Sequence, residues 1–345
     1  MIATKNQRGE MRAIVVQEPN AELSYQEIPT PSPGVGELLV KVAACGVCFR
    51  DLVDRQGRYP WIQFPATPGH EFAGTVVALG VGVTDFSLGD RVVNLHRAPC
   101  GSCQACVRGD DGRCEGSITT YGHTIPGGYA EYVIAHPSSL VRVPDALGLP
   151  EASFLNCTAA VSLRALRRHA NLQPGETVLV TGASGGVGLH GLMIARKLGA
   201  RVIAATSSAA KAARLAPFAD QVIVSSASEF HKEARELNVD VVLDCVGTPT
   251  LNASMRSLRP GGRLLIVGNV NQERFALNPG YMILYELSIF GSAVSSRKDL
   301  QDVLQWAAQG ELTPQLELTL PLSQAGEAQA RLARGEAFGR AVLIP

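Results

Sequence analysis

The sequence predicts a two-domain α/β protein, in which a small all-β, barrel-like domain precedes a doubly wound parallel-sheet domain. Three observations carry this. Between Met11 and about residue 150, β-branched or alternating runs are separated by Pro/Gly clusters. Beyond Pro150 strand patterns and helix patterns alternate. A glycine-rich turn then joins the first strand of that second half to its first helix.

In chain order, "MRAIVVQ", "ELLVKVAAC", "EFAGTVVALG", "DRVVNL" and "AEYVIA" read as strands, with turns at "PTPSPGVGE" and "GHTIPGG". Many short strands with such punctuation suit a small barrel. Residues 151–170 have helical spacing, with Phe154, Ala159, Leu163 and Leu166 near one face, so a single helix is expected there. "TVLVTG", a helix across "GVGLHGLMIARKLG", "RVIAAT", "SAAKAARLAPF", "QVIV", "DVVLDCVG", "LNASMRSL" and "RLLIVG" follow as βαβ units. The tail holds an amphipathic helix, "DLQDVLQWAAQG", and a last strand, "GRAVLIP".

Composition narrows the function. The chain has 345 residues, 46% hydrophobic and 18% charged, as a well-buried globular protein requires. Lys+Arg and Asp+Glu balance at 31 each, which leaves no electrostatic footprint for nucleic acid or an anionic membrane. The opening "MIATKNQRGE" lacks the apolar core of a signal peptide, and no run is long enough to span a bilayer. A cytoplasmic location is therefore expected. The eight cysteines are then read first as metal ligands or buried thiols.

The turn Gly182, Ala183, Ser184, Gly185, Gly186, Val187, Gly188 contains Ala183-x-Gly185-x-x-Gly188 between a strand and a helix. Small residues there let backbone N–H groups approach a pyrophosphate at the helix N-terminus. Val246 and Gly268, closing two later strand runs, complete the expected dinucleotide site. A carboxylate for the ribose 2′-OH is missing from the end of "RVIAAT"; Thr206, Ser207 and Ser208 stand there, with Lys211 close behind. Hydroxyls and an ammonium suit a 2′-phosphate, so NADP(H) is expected over NAD(H). The same hydroxyls also suit a helix cap.

"CGSCQACVRGDDGRC" sets Cys100, Cys103, Cys106 and Cys114 in the spacing C-x2-C-x2-C-x7-C. Four thiolates in one loop close a tetrahedral shell around a structural Zn²⁺. Reduced thiols or disulfides do not account for the spacing. A second donor set is dispersed over Cys48, His70 with Glu71, and Cys157. Spacing alone does not select it. Arg50 and Asp51 follow Cys48 closely.

Together these motifs resemble the zinc-dependent medium-chain alcohol dehydrogenases. "GVC..D", "GHEFAGTVVALGVGV", "GDRV", the four-cysteine loop, "GGYAEYV", "CTAAVSLRAL", "GASGGVG" and "GRAVL" occur in the family's order from Met11 to Pro345. The resemblance implies a GroES-like catalytic domain over residues 1–155, completed by 296–345, and a Rossmann domain over 156–295. It implies two zinc ions per chain and a homodimer or homotetramer. Cys48, His70 and Cys157 match the catalytic zinc ligands, and Glu71 matches a carboxylate that approaches the metal. Asp51 matches the acid that orients the histidine, and Arg340 matches a position near the cofactor pyrophosphate. Such a centre polarises a substrate oxygen for hydride transfer in the interdomain cleft.

One departure stands out. Alcohol-oxidising members carry Ser or Thr at the position of Arg50 to relay the alcohol proton. Arginine stays protonated and cannot relay. The form "CFRDL" with "QGRYP" resembles the branch containing acryloyl-CoA reductases. Arg50 is expected either to meet a negative group of substrate or cofactor, or to pair with Asp51, Glu71 or solvent. Two activities follow: a zinc-dependent alcohol dehydrogenase or carbonyl reductase, and an NADPH-dependent reductase of enoyl-CoA or enone C=C bonds. A non-enzymatic nucleotide-binding role leaves the retained zinc set unexplained. Among weaker candidates, His123 could line the substrate cleft but, as a loop histidine, is expected to be solvated; Cys45 and Cys245 are expected to pack as small hydrophobes and Glu131 and Tyr132 to sit on a barrel strand; Arg297 could approach the cofactor cleft, although sequence alone does not place it.

Overall fold

In a computed structural model the structure describes residues 9–116, 119–271 and 273–345; part of the opening segment read for a leader lies outside them. The chain divides into two compact units. The first comprises residues 1–156, 296–336 and 340–345, and the second 157–295 and 337–339.

The first unit begins with β1 (Glu10–Val15) and β2 (Ser24–Pro29), an antiparallel pair. Then come β3 (Leu38–Gly46), helix α1 (Phe49–Arg55), β4 (Phe72–Leu79), β5 (Arg91–Asn94), β6 (Tyr132–Ala135) and β7 (Leu140–Arg142). Strand β3 is the spine of this unit. Leu38, Val40 and Val42 point into a core that contains Phe72, Tyr121, Tyr129 and Leu140. Alternation along the strand places those residues on one face.

The second unit holds β8 (Thr177–Val180), helix α2 (Gly186–Lys197), β9 (Arg201–Thr206), helix α3 (Ala209–Leu215), β10 (Gln221–Val224), β11 (Val239–Asp244), β12 (Leu258–Ile266) and β13 (Ser288–Gly291). Its sheet runs β10-β9-β8-β11-β12-β13, with every pairing parallel. Strands β8 and β11 are buried along their whole length, as the inner strands of a parallel sheet must be when both faces are covered. From β8 the chain proceeds outward through β9 and β10, then returns to the other side of β8 with β11. The strand order therefore reverses at the carboxyl ends of β8 and β11, where open α/β sheets bind ligands.

The chain then re-enters the first unit with helix α4 (Arg297–Ala308), β14 (Leu316–Pro321) and β15 (Arg340–Ile344). Helix α4 starts in a capping box, in which Asp299 accepts from the Ser296 backbone and Ser296 accepts from the Asp299 backbone. Its start lies two residues before the expected stretch. The larger sheet is ordered β14-β15-β3-β4-β5-β7, with β6 also on β3.

Residues 151–170 depart from the single expected helix. A short helix at Leu149–Ser153 gives way to a wide, π-type turn at Asn156–Ala160, one α turn at Val161–Arg164, and a second wide turn at Ala165–His169. The Ala170 N–H reaches back five residues to the Ala165 carbonyl at 3.0 Å. Helical periodicity survives these insertions, which is why the sequence reads as one helix.

Candidate metal centre and cofactor turn

Cys48 closes the loop after β3 and stands at the N-terminus of α1, so backbone geometry rather than a flexible side chain sets its position. Asp51, one turn into α1, reaches back and accepts from the Cys48 N–H at 2.8 Å. The same carboxylate accepts from the Tyr129 hydroxyl at 2.9 Å and meets His70 Nδ1 at 3.0 Å. Asp51 and His70 are each about 1% exposed. A buried carboxylate with three donors holds the ring in one orientation, Nδ1–H toward Asp51 and Nε2 outward. Burial alone would lower the pKa of His70, but the charge and hydrogen bond of Asp51 outweigh it and raise it well above the usual imidazole range. Tyr129 escaped the sequence reading, although it lies in the quoted "GGYAEYV".

Nε2 of His70 is 3.6 Å from Glu71 Oε1. Burial lifts the Glu71 pKa to about 7, against the opposing pull of Arg340. Arg340, at the start of β15, is itself 4% exposed and grips Glu71 with Nε at 3.0 Å and a second, shorter contact from its terminal nitrogen. The cation expected beside a pyrophosphate is thus engaged by this carboxylate. Cys157, covalently the next residue after the first unit's Asn156, completes the set. Ligand atoms of Cys48, His70, Glu71 and Cys157 all lie within 4.8 Å of one another. Two sulfurs, an imidazole nitrogen and a carboxylate suit a zinc-like ion.

Arg50 keeps 31% of its side chain exposed. It pairs with neither Asp51 nor Glu71. Its Nε lies 3.5 Å from Asp54 Oδ2, one terminal nitrogen lies 2.5 Å from His96 Nε2, and the other lies 2.8 and 2.7 Å from His123 Nδ1 and Nε2. His123, expected to be solvated, is 2% exposed and directs Nε2 to Asp54 Oδ2 at 2.5 Å. Burial first, then the Arg50 charge, lowers the pKa of His96 well below its usual value. The same two causes lower that of His123, with Asp54 opposing them. The His96 ring stands edge-on to the His70 ring, with centroids 4.9 Å apart. His96, in "NLHRAP", was missed because a single histidine after a strand carries no spacing signal.

The four-cysteine loop folds as its spacing predicts, with all four sulfurs within 4.8 Å. The Cys103 N–H donates to Cys100 Sγ at 3.3 Å and the Cys100 N–H to Cys114 Sγ at 3.2 Å. Backbone donors from Ser102 and Cys103 pull the Cys100 thiol down to about 5, whereas burial and its sulfur neighbours push Cys106 up to about 12. Arg297 is held within the first unit. It donates to the carbonyls of Leu140 at 2.6 Å and Ser138 at 2.5 Å. Glu131 accepts from the Arg12 backbone at 2.8 Å, a strand-edge role. Burial raises the thiol pKa of both Cys45 and Cys245.

In the second unit, the turn Gly182–Gly185 leads into α2, whose N-cap is Gly185. A Cβ on Gly188 would fall 2.3 Å from the Gly182 carbonyl oxygen, so the helix packs on its own turn only because no side chain intervenes. A Cβ on Gly268 would meet the Cys245 carbonyl oxygen at 2.0 Å, and one on Gly182 would meet Val246 at 3.0 Å. Gly182, Val246 and Gly268 therefore lie close together at the strand ends. Thr206 closes β9, and its Oγ1 accepts from the Ser208 N–H at 3.2 Å. Ser208 is the N-cap residue of α3, yet its side chain makes no cap hydrogen bond. Lys211 donates to the Ala337 carbonyl at 2.7 Å.

Comparison with known proteins matches residues 34–145 to the family described as alcohol dehydrogenase GroES-like domain and residues 186–309 to zinc-binding dehydrogenase. An acryloyl-coenzyme A reductase from Metallosphaera sedula is 39% identical over 96% of this chain and 99% of its own. The chain belongs to the zinc-dependent medium-chain dehydrogenase/reductase family. An alcohol dehydrogenase from Geobacillus stearothermophilus is 32% identical over 96% of this chain and 99% of its own. The cobalt- and zinc-bound alcohol dehydrogenase structure from Pyrobaculum aerophilum superposes with a TM-score of 0.88 at 31% identity, covering 97% of this chain and all of that one. This dehydrogenase/reductase is accordingly an oxidoreductase. Among the described residues, no helix is long and apolar enough to cross a membrane.

Proposed function

We propose that the protein reduces the C=C bond of a conjugated carbonyl compound, an enoyl thioester such as an acryloyl-CoA or an enone, at the expense of NADPH. The observation that carries this reading is the cluster around Arg50. Where alcohol-oxidising relatives place a hydroxyl relay, this chain places a permanent cation fastened to Asp54, His96 and His123. Such a group passes no alcohol proton outward, but it supports positive potential where charge gathers on a carbonyl oxygen. The similarity to an acryloyl-coenzyme A reductase points the same way.

The residues fit the groups this chemistry needs. Cys48, His70 and Cys157, with Glu71 in reserve, would hold a catalytic zinc, and Cys100, Cys103, Cys106 and Cys114 a structural one. Gly182, Ala183, Ser184, Gly185, Gly186, Val187 and Gly188, with Val246 and Gly268, would cradle the dinucleotide. Thr206, Ser207, Ser208 and Lys211 favour a 2′-phosphate, since no carboxylate of the β9–α3 turn opposes it. When bound, zinc supplies Lewis acidity toward the substrate oxygen and the nicotinamide supplies hydride. The chain's own part is to orient. Asp51 and Tyr129 fix the His70 ring, while Arg340 holds the Glu71 carboxylate beside the other donors.

A second reading, alcohol or small aldehyde and ketone turnover, is favoured by the completeness of the Cys48, His70, Cys157 set. A panel of enoyl-CoA thioesters, enones, alcohols and aldehydes, assayed with NADPH or NADH and with their oxidised forms, separates the two. Enoyl turnover with the lower Michaelis constant for NADPH is expected; alcohol turnover alone would overturn the proposal.

A further inference from the structure

The hydrogen bonds around Arg50 have a direction. A guanidinium carries only donors, so each ring nitrogen it touches must offer a lone pair. His123 meets one Arg50 nitrogen through both Nδ1 and Nε2, at 2.8 and 2.7 Å; Nε2 also faces Asp54 Oδ2 at 2.5 Å, which can only accept, so Nε2 carries the proton to Asp54 and Nδ1 is left to accept from Arg50. His96 faces Arg50 through Nε2 at 2.5 Å, so that nitrogen too is an acceptor. A neutral imidazole holds one proton, and in His96 it must then sit on Nδ1. Among the described residues Nδ1 of His96 meets no protein acceptor. The ring is 8% exposed and lies edge-on against His70. The outcome is a fixed, unused N–H donor in a nearly buried position beside the metal-binding residues.

We infer that His96 presents its Nδ1–H to the carbonyl oxygen of the substrate, and that Arg50 is a positioning residue acting through the His96 tautomer. The inference rests on the conjugated-carbonyl reading and assigns within it the group that meets the oxygen as charge builds there. It also gives Arg50 a task without direct substrate contact. Its charge, in direct contact with Asp54 on one side and one ring away from the substrate on the other, polarises the His96 N–H and prevents the proton from moving to Nε2.

The test joins spectroscopy to kinetics. In protein labelled with ¹⁵N-histidine, the His96 signals, assigned by their loss in His96→Phe, should show a neutral ring protonated on Nδ1, and Arg50→Leu should shift the proton to Nε2. In steady state, His96→Phe should lower kcat about 100-fold or more, the usual cost of losing a donor to a developing oxyanion, with metal content unchanged. His96→Asn, whose amide N–H takes the place of Nδ1–H, should recover most of that loss, whereas His96→Gln should not. Arg50→Leu should lower kcat about 10-fold and KM little. An Nε2–H or doubly protonated ring in the wild type overturns the inference, as does full kcat in His96→Phe. Failure of the functional reading looks different: the wild type then turns over no conjugated carbonyl, while the His96 proton is still located independently.

Discussion

Replacing Asp51 by Asn probes how this site is built. One carboxylate gathers three donors from positions far apart in the chain: Cys48 N–H at 2.8 Å, Tyr129 O–H at 2.9 Å and His70 Nδ1 at 3.0 Å. Asn keeps the volume but loses the charge, and its NH₂ group must face at least one of those donors. Hydrogen bonds to a charged group contribute about 1.5–3 kcal/mol each, and a group that orients a metal-bound histidine affects metal affinity about 10- to 100-fold. Loss of the charge-assisted His70 contact alone should therefore weaken metal binding by about 1.4–2.7 kcal/mol. Competitive chelator titration of the loaded protein measures this directly, with the four-cysteine site as an internal reference of unchanged affinity. Tyr129→Phe should produce a smaller loss, since Asp51 keeps its charge and two donors. If Asp51→Asn binds metal within twofold of the wild type, the carboxylate does not hold the ligand histidine and the reasoning fails.

Metal binding should strengthen as pH rises. Asp51 raises the pKa of His70 in the metal-free fold, so the His70–Asp51 pair stabilises that fold below the unfolded pKa and is lost as pH rises through the folded one. Because an ion must displace that proton, titrations at descending pH should show falling affinity with proton release; a pH-independent affinity between about 6 and 8 would contradict this. Gly188→Ala should raise the cofactor dissociation constant at least about 10-fold and cost about 1–3 kcal/mol in stability, because its Cβ would lie 2.3 Å from the Gly182 oxygen. Nucleotide titration by fluorescence and a denaturant melt report the two effects. Cys106→Ser should remove one metal ion per chain and lower Tm by about 5 °C, the shift that about 2 kcal/mol produces in a domain of moderate size. Elemental analysis with calorimetry checks both.

What could be read in advance followed from local chemistry. The four-cysteine loop is set by spacing within fifteen residues, and the glycine turn by steric demands within seven, so both were legible. Strands β3, β4 and β11 announced themselves through continuous or alternating apolar runs. Strands β2, β7, β13 and β14 did not. "SYQEIP" and "LELTLP" alternate in burial but end in proline and carry polar faces, and β7 and β13 are only three and four residues long. The environment of Arg50 was harder still. Asp54 lies one helical turn away and could have been proposed from its i,i+4 spacing, but His96 and His123 arrive from loops 46 and 73 residues distant. No periodicity encodes such a meeting; only the closure of the sheet produces it.

The wide turn at Asn156–Ala160 makes chain length itself part of the chemistry. It accommodates one residue more than an α turn would. Deleting a single residue there would let the segment relax into ordinary helix, while turning Cys157 by about 100° against the residues that follow. Local comfort of the backbone and correct aim of the thiol are thus opposed. In this segment a substitution is forgiven more readily than a shortening, and the most damaging change is one that makes the helix more regular.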